Sequence, residues 1–187
     1  MAAGVTRRNG MLVAVAVLAV ALTAGGCGMG ASSSSTVTFP PESFGPSAAT
    51  TGAVAATRAA IAAALGSRNL QLDDPQVPYR PPEAASFAAA RRAVYQVVLP
   101  NDRSHGFISV YEFTDPAAAT AAGNEEARYV GSGPGRVNFP PDTRFVMRQL
   151  GTTLILFSWS PENSPDQRTK DIQPALETIG TPIAVPR

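Results

Sequence analysis

The chain has 187 residues and a nearly balanced charge, with 15 Lys and Arg against 14 Asp and Glu and a formal net charge of +1. This balance excludes the broad basic surface by which many proteins attract nucleic acid. The single cysteine, Cys27, excludes a disulfide within the chain and a metal site built from several thiolates. A folded domain of this protein must therefore be stabilised by its core alone.

The N-terminus has the layout of an export signal. Residues 1–9 carry Arg7 and Arg8 and no acid, and an uninterrupted apolar stretch follows over residues 11–24, ending at Gly25 and Gly26. A basic head, ~7–15 apolar residues and a small-residue exit predict a secretory signal over residues 1–26. A spanning helix normally needs ~17–25 apolar residues. Because charged residues are absent as far as Pro41, a membrane-spanning anchor is the alternative.

The residues before Cys27 resemble the signal of bacterial lipoproteins, which ends in a small-residue box and a cysteine. Thr23, Ala24, Gly25 and Gly26 fit the looser form of that box, with Ala24 where leucine is commoner. The resemblance implies that Cys27 is acylated, as with palmitate, and becomes the first residue of the mature chain. Several acyl chains anchor a protein stably. The alternative interpretation is a buried structural cysteine.

The lipoprotein resemblance also implies a location and a domain plan. It places the protein in a bacterial cell envelope, on the outer face of the cytoplasmic membrane or, where there is one, on the outer membrane. Arg7 and Arg8 hint at twin-arginine export, but Gly10 stands where a bulky apolar residue is expected, so general export is favoured. Residues 27–50 are rich in Ser, Gly and Pro and predict a flexible tether of about 25 Å. A single domain follows over residues 51–187.

The first half of that domain is less regular than the second. Apolar residues at helical spacing predict a helix from Val54 to Leu65, with Gly66 as its stop. Leu70 and Leu72 indicate one short strand. Residues 75–86 are proline-rich and predict a stiff surface loop, in which two P-x-x-P patterns also fit a peptide ligand. Residues 86–92 predict a short helix.

Two hairpins dominate the second half. Residues 93–99 and 107–113 are β-branched and aromatic and flank a polar turn, and residues 144–150 and 152–159 repeat this arrangement. Asp115 and Pro116 predict the start of an alanine-rich helix that ends near residue 130. A capping-box pattern spans residues 164–167. Pro174 favours a later start for the last helix, near Asp171, and that helix carries an apolar stripe to Ile179.

These elements predict an α+β fold. Its antiparallel sheet is built from two hairpins in the order ββα-ββα, with helices packed on one face and one helix preceding the sheet. Residues 152–159 contain few polar side chains and predict a central strand. The order of the strands stays open. This part of the chain, with its segment "YEFTDPAAA", also resembles small domains of exported bacterial lipoproteins, a resemblance that implies architecture but no activity.

No motif indicates an enzyme, a metal site or a cofactor. His105 is the only histidine and lies in the first hairpin turn, where polar residues are ordinary. "GSGPG" follows a helix instead of a strand, which argues against a phosphate loop. Adjacent acids at residues 73–74 and 125–126 do not converge. Other acids, Asp102 and Asp142 among them, fall in turns.

The remaining candidate is a binding surface on the second hairpin. Arg144 and Arg148 share one strand face with Val146, and Phe145 and Met147 share the other. An open sheet face with arginines and aromatics would bind an anionic ligand or a partner. Alternatively, the aromatics are core and the arginines are solvated.

The sequence therefore predicts a non-catalytic binding domain, held at the membrane by Cys27, with a protein or small-molecule partner in the envelope. An envelope hydrolase is the alternative. It would use His105, whose unperturbed pKa lies near neutrality, or a pair of carboxylates that fold together.

Overall fold

The computed structural model describes residues 51–186, so the predicted signal over residues 1–26, Cys27 and the whole predicted tether over residues 27–50 lie outside the described residues. The helices are α1 (Gly52–Gly66), α2 (Ala85–Ala89), α3 (Pro116–Gly131) and α4 (Thr169–Leu176), with a 3₁₀-helix at Pro134–Asn138. The strands are β1 (Leu72–Asp73), β2 (Arg91–Val97), β3 (Phe107–Glu112), β4 (Arg144–Leu150), β5 (Thr153–Trp159) and β6 (Thr181–Pro182).

All six strands form one antiparallel sheet in the order β1-β2-β3-β5-β4-β6. The two predicted hairpins are β2–β3 and β4–β5, and the pairing of β3 with β5 joins them. The α+β class and the central position of β5 are confirmed. Residues 153–157 of β5 are all buried, because helices cover both faces of a central strand.

One face of the sheet carries α1 and α4 over an aliphatic core. Ile61 and Leu65 of α1 and Ile172 of α4 pack with Val110 and Phe157 of the sheet. The core contains one polar link, a hydrogen bond of 2.7 Å between the buried hydroxyls of Thr57 and Thr153. The helical stripe predicted from spacing therefore faces the sheet, as expected for an amphipathic helix.

The opposite face is covered by α2 and α3, so the expectation of helices on one face needs correction. Tyr111, Leu154 and Leu156 point to this second face and pack with Phe87 of α2 and the alanines of α3. The physical reason is alternation: successive residues of β5 point to opposite faces, and both sets are apolar. Alanine is small enough to let α3 approach the sheet closely.

Three local expectations also change. The proline-rich loop is not only a surface connection, since Tyr79 stacks on Phe107 with ring centroids 4.3 Å apart. The capping box does not form: α4 begins at Thr169, two residues before the expected start, without a side-chain cap. Asp166 of that pattern instead accepts hydrogen bonds from the backbone of Asn101 and from Arg168. None of the helices in residues 51–186 combines the length and apolar character needed to span a membrane.

Candidate functional site

Arg148, one of the two predicted ligand-binding arginines, makes structural contacts. Its Nε donates to the Ile179 carbonyl at 2.6 Å and its Nη2 donates to the Gly180 carbonyl at 2.7 Å. Gly180 has a positive φ of 52°, and a Cβ there would collide with the carbonyl oxygen of Gln149. Arg148 thus ties β4 to the tight turn after α4, which leaves its guanidinium committed to the fold.

Arg144 is differently placed, although it shares a strand face with Arg148. Its side chain is exposed, and its guanidinium carbon lies 5.3 Å from the ring centroid of Trp159. The Trp159 indole N–H donates to Oε1 of Gln173 on α4 at 3.1 Å. An arginine stacked on an aromatic ring keeps its planar N–H groups available for a carboxylate or a phosphate.

Arg144 lines a pocket of about 620 Å³ at the edge of β4, here called the β4-edge pocket. Its walls come from the loop before β4, the start of β4, α4 and the C-terminal segment, and include Arg136, Asp142, Arg144, Phe145, Gln173 and Val185. A volume in the range of ~300–1,000 Å³ suits a small ligand or a few residues of a chain.

Arg136 supplies the second positive charge of the pocket. Its Nη2 donates to the Pro141 carbonyl at 2.5 Å, and its guanidinium carbon lies 5.7 Å from the Phe145 ring. Among the described residues, Arg136 Nη1 and Thr143 Oγ1 are buried without a hydrogen-bond partner. Both atoms are shielded from solvent, so they belong to the inside of the pocket wall and not to its open surface.

Asp142 is the one carboxylate among the pocket's wall residues, and its oxygens accept hydrogen bonds from within the protein. It accepts hydrogen bonds from the Ser160 hydroxyl at 2.7 Å and from the Glu162 backbone N–H at 2.9 Å. The Glu162 hydrogen bond, followed by that of Ser160, lowers the pKa of Asp142 below its usual value. The carboxylate therefore holds the loop after β5, and two arginines against one aspartate leave the pocket net positive.

His105 lies in the first hairpin turn beside Asp102 and Ser104. Its Nδ1 is 2.7 Å from Asp102 Oδ1 and 3.4 Å from the Ser104 hydroxyl. A serine-histidine-aspartate triad needs the serine on the opposite ring nitrogen, Nε2. Asp102 also accepts from the Ser104 backbone N–H. The three side chains therefore close the turn and do not form a nucleophilic triad.

A second polar cluster, here called the carboxylate cluster, lies under the proline-rich loop. It consists of Glu83, Glu126, Tyr111, Arg92 and Arg80. The nearly buried Glu83 carboxylate accepts from the Tyr111 hydroxyl at 2.7 Å, from Arg92 at 2.5 Å and from Arg80 at 2.9 Å. Burial, reinforced by the charge of Glu83, raises the pKa of Tyr111. Glu83 thus accepts three side-chain hydrogen bonds that attach the loop to the sheet.

Glu126 on α3 is the unusual member of the carboxylate cluster. Its side chain is fully buried, Oε2 accepts from the Ala84 backbone N–H at 2.7 Å, and Oε1 has no partner among the described residues. Burial, helped by the nearby charges of Glu83 and Glu125, raises its pKa from 4.5 to about 7. The side chains of Glu83 and Glu126 are both buried, so neither carboxyl is accessible to a substrate in this conformation.

Sequence reasoning missed the carboxylate cluster and Arg136. One signal was present for Glu126, which lies four residues after Ala122 and four before Val130 on the buried stripe of α3. An acid on a buried stripe needs a partner from elsewhere in the fold. No comparable signal marks Glu83, which lies in an irregular segment, or Arg136, which lies in a short 3₁₀-helix, because the packing of both depends on distant residues.

Within residues 51–186, no group of three or more His, Cys, Asp or Glu side chains is close enough to hold a metal ion. Neither pair of adjacent acids forms a joint site. The Asp73 carboxylate accepts a hydrogen bond from the Asp74 backbone N–H. In the other pair, Glu126 is buried and Glu125 is only half-buried.

The β4-edge pocket and the carboxylate cluster are the two chemically distinctive places in the domain. Comparison with protein-family models, with curated proteins and with solved structures finds no match for this chain.

Proposed function

We propose that this protein is a lipid-anchored extracytoplasmic binding protein whose domain captures an anionic group in the β4-edge pocket. The observation that carries the ligand part is the exposed guanidinium of Arg144, held over Trp159 and accompanied by Arg136 around about 620 Å³ of space. The second arginine of the proposed site is Arg136 and not Arg148, the other predicted ligand residue, because Arg148 is hydrogen-bonded to the turn after α4.

The membrane part rests on the residues around Cys27. A basic head, an apolar stretch and a small-residue box before a cysteine are the features of a lipoprotein signal, and residues 27–50 supply a tether. Loss of Arg7 and Arg8 with the signal leaves 13 basic and 14 acidic side chains. Attraction to a negatively charged membrane surface would therefore be weak, and acyl chains on Cys27 would provide the attachment.

The anchor is tested by native mass spectrometry of the full-length protein extracted gently from its own membrane. We expect a chain that begins at Cys27 and carries acyl mass, together with any molecule that travels with the domain. An unacylated chain would contradict the anchor, whatever accompanied it.

The pocket is tested with Trp159, the only tryptophan of the chain. Citrate, a small polycarboxylate, is titrated into the full-length protein in detergent while tryptophan emission is recorded. We expect saturable quenching or a shift, because an anion on Arg144 changes the charge directly over the indole ring. Arg144→Ala should abolish the response, and Arg68→Ala, which removes an exposed arginine outside the pocket walls, should retain it.

The envelope hydrolase is kept as a second candidate because of one observation, the pair of buried carboxyls in the carboxylate cluster, of which Glu126 has a pKa raised to about 7. Such an enzyme would need the proline-rich loop to open over Glu83 and Glu126. A hydrolase screen on envelope polymers that found activity lost in Glu126→Gln and retained in His105→Ala would favour it over the binding protein.

A further inference from the structure

The outer backbone edge of β4 borders the β4-edge pocket at Phe145. The Met147 carbonyl accepts a hydrogen bond from the Ile183 N–H at 3.0 Å, on the side of β4 away from β5. In an antiparallel sheet, residues two apart direct their backbone groups to the same side. The N–H and C=O of Phe145 therefore also point to the outer edge of β4.

No strand in residues 51–186 pairs with that edge of Phe145. The edge strand β6 pairs with Arg148 and Gln149, and Ile183 adds the hydrogen bond to Met147 before the chain leaves the sheet. Beyond β6, Ile183 packs close to Gly123 of α3, and Pro186 packs close to Gly131 at the end of α3. The departing segment forms one wall of the pocket and the start of β4 forms the other, so the space lies beside an available sheet edge.

Neighbouring positions at the start of β4 differ in chemistry. Phe145 points to the second face of the sheet, where Val185 offers another apolar surface. Arg144, the preceding residue, points to the opposite face. Its guanidinium stacks on Trp159 and makes no hydrogen bond or salt bridge within residues 51–186. A chain laid along this edge would meet an apolar position and, next to it, a positive one.

Resting on the proposed anion site, we infer that the ligand of the β4-edge pocket is an extended acidic peptide segment that adds a strand to β4. Antiparallel addition places one peptide residue opposite Phe145, where the two residues exchange both backbone hydrogen bonds. The next peptide residue lies opposite Arg144, where its Cβ would be about 5 Å away. The recognised pattern is therefore an apolar residue followed immediately by aspartate or glutamate.

The test uses a defined peptide and two single-site relatives of it. The probe is the acetylated and amidated tetrapeptide valine-aspartate-threonine-serine, titrated into the full-length protein in detergent with Trp159 emission as the readout. It begins at valine because the sheet edge at Met147 is already taken by Ile183. In the first relative the valine nitrogen is methylated, which removes one backbone hydrogen bond and leaves the charge. In the second, aspartate is replaced by asparagine, which removes the charge and leaves the shape.

We expect the methylated peptide to bind about tenfold more weakly than the probe, since it loses one backbone hydrogen bond and gains a steric obstacle. We expect the asparagine peptide to bind the natural protein about five- to tenfold more weakly than the probe does. It should bind Arg144→Ala as weakly as it binds the natural protein. Arg68→Ala should behave like the natural protein. This combination would establish strand addition with the stated register.

Other outcomes overturn the inference or the proposal beneath it. If citrate changes Trp159 emission while the methylated peptide binds as well as the probe, or no peptide binds, the anion pocket stands and strand addition is wrong. If the aspartate and asparagine peptides bind equally to the natural protein, the register opposite Arg144 is wrong. If neither citrate nor any peptide changes the emission, both the inference and the proposed pocket fail.

Discussion

The two faces of the sheet are built from different materials. The face under α1 and α4, here called the aliphatic face, is mostly aliphatic and also buries the rings of Tyr95 and Phe157. Within it, the hydroxyls of Thr57 and Thr153 form a buried hydrogen bond. The face under α2 and α3 combines alanines and aromatics with two buried carboxyls, Glu83 and Glu126. The first face is held by apolar burial, which does not depend on pH. The stability of the second face also depends on the protonation of Glu126, whose pKa is raised to about 7.

The two faces therefore contribute to the domain by different interactions. The aliphatic face supplies the larger share of apolar burial and fixes the sheet. The second face attaches the proline-rich loop through hydrogen bonds to Glu83 and Glu126. The β4-edge pocket lies where the C-terminal segment crosses from the sheet edge to α3.

The largest effect should follow from a cavity under α1 and α4. Phe157→Ala removes a fully buried ring from the aliphatic face and should lower the free energy of unfolding by about 3–5 kcal/mol. Urea unfolding at pH 5 and pH 8 should give the same loss at both values. Val137→Ala is the control, since Val137 is 85% exposed and should change little. A loss that differed between the two pH values would mean that the faces are not independent.

The second prediction concerns the ionisation of Glu126. Its pKa is raised from 4.5 to about 7 in the folded state, so the folded protein binds the proton more tightly than the unfolded chain does. The contribution to stability is therefore complete below about pH 4.5 and is lost as the pH rises through about 7. Glu126→Gln stays neutral and should be more stable than the natural protein at pH 8 by on the order of 2 kcal/mol.

The check is urea unfolding of both proteins between pH 4.5 and pH 8. The difference between the two free energies should grow across that window and be small at its acidic end. Glu125→Gln removes a neighbouring carboxylate and keeps Glu126, so it should largely preserve the pH dependence. Parallel curves for the natural protein and Glu126→Gln would show that Glu126 is ionised throughout.

The two faces of the sheet differ in how well the sequence predicts them. The strands were predictable because residues 154–157 are apolar without interruption, and the start of α3 was predictable because Asp115 accepts from the Ala118 N–H as an N-cap. These signals are local. Apolar spacing also predicted the buried side of α1, since Ile61 and Leu65 are large.

The second face was not predictable, because its evidence is distributed along the chain. The helix α3 buries alanines and a glycine, which give a weak periodic signal even where they pack tightly. Glu83 and Glu126 are 43 positions apart and meet only through the fold. In the binding site, Arg144 was found because it lies on a clear strand, whereas Arg136 was missed because it lies in a 3₁₀-helix after a glycine-rich break.

The third prediction distinguishes the two arginines of β4 by stability. Arg148→Ala removes hydrogen bonds to the Ile179 and Gly180 carbonyls and should lower the free energy of unfolding by about 1–2 kcal/mol. Arg148→Lys should recover part of this loss, because an ammonium keeps the charge but lacks the planar fork that reaches both carbonyls. Equal stability of the natural protein and Arg148→Ala in thermal or urea unfolding would show that the turn after α4 does not need this arginine.

The smallest change in stability is expected for Arg144→Ala. Arg144 is exposed and stacks on one side of Trp159, so its removal should change the free energy of unfolding by no more than about 0.5 kcal/mol. The same variant should lose the citrate response. A side chain that costs little to remove from the fold and yet abolishes ligand binding is placed for the ligand. If Arg144→Ala were instead as destabilising as Arg148→Ala, both arginines would be structural, and the β4-edge pocket would lose the residue on which its proposed function rests.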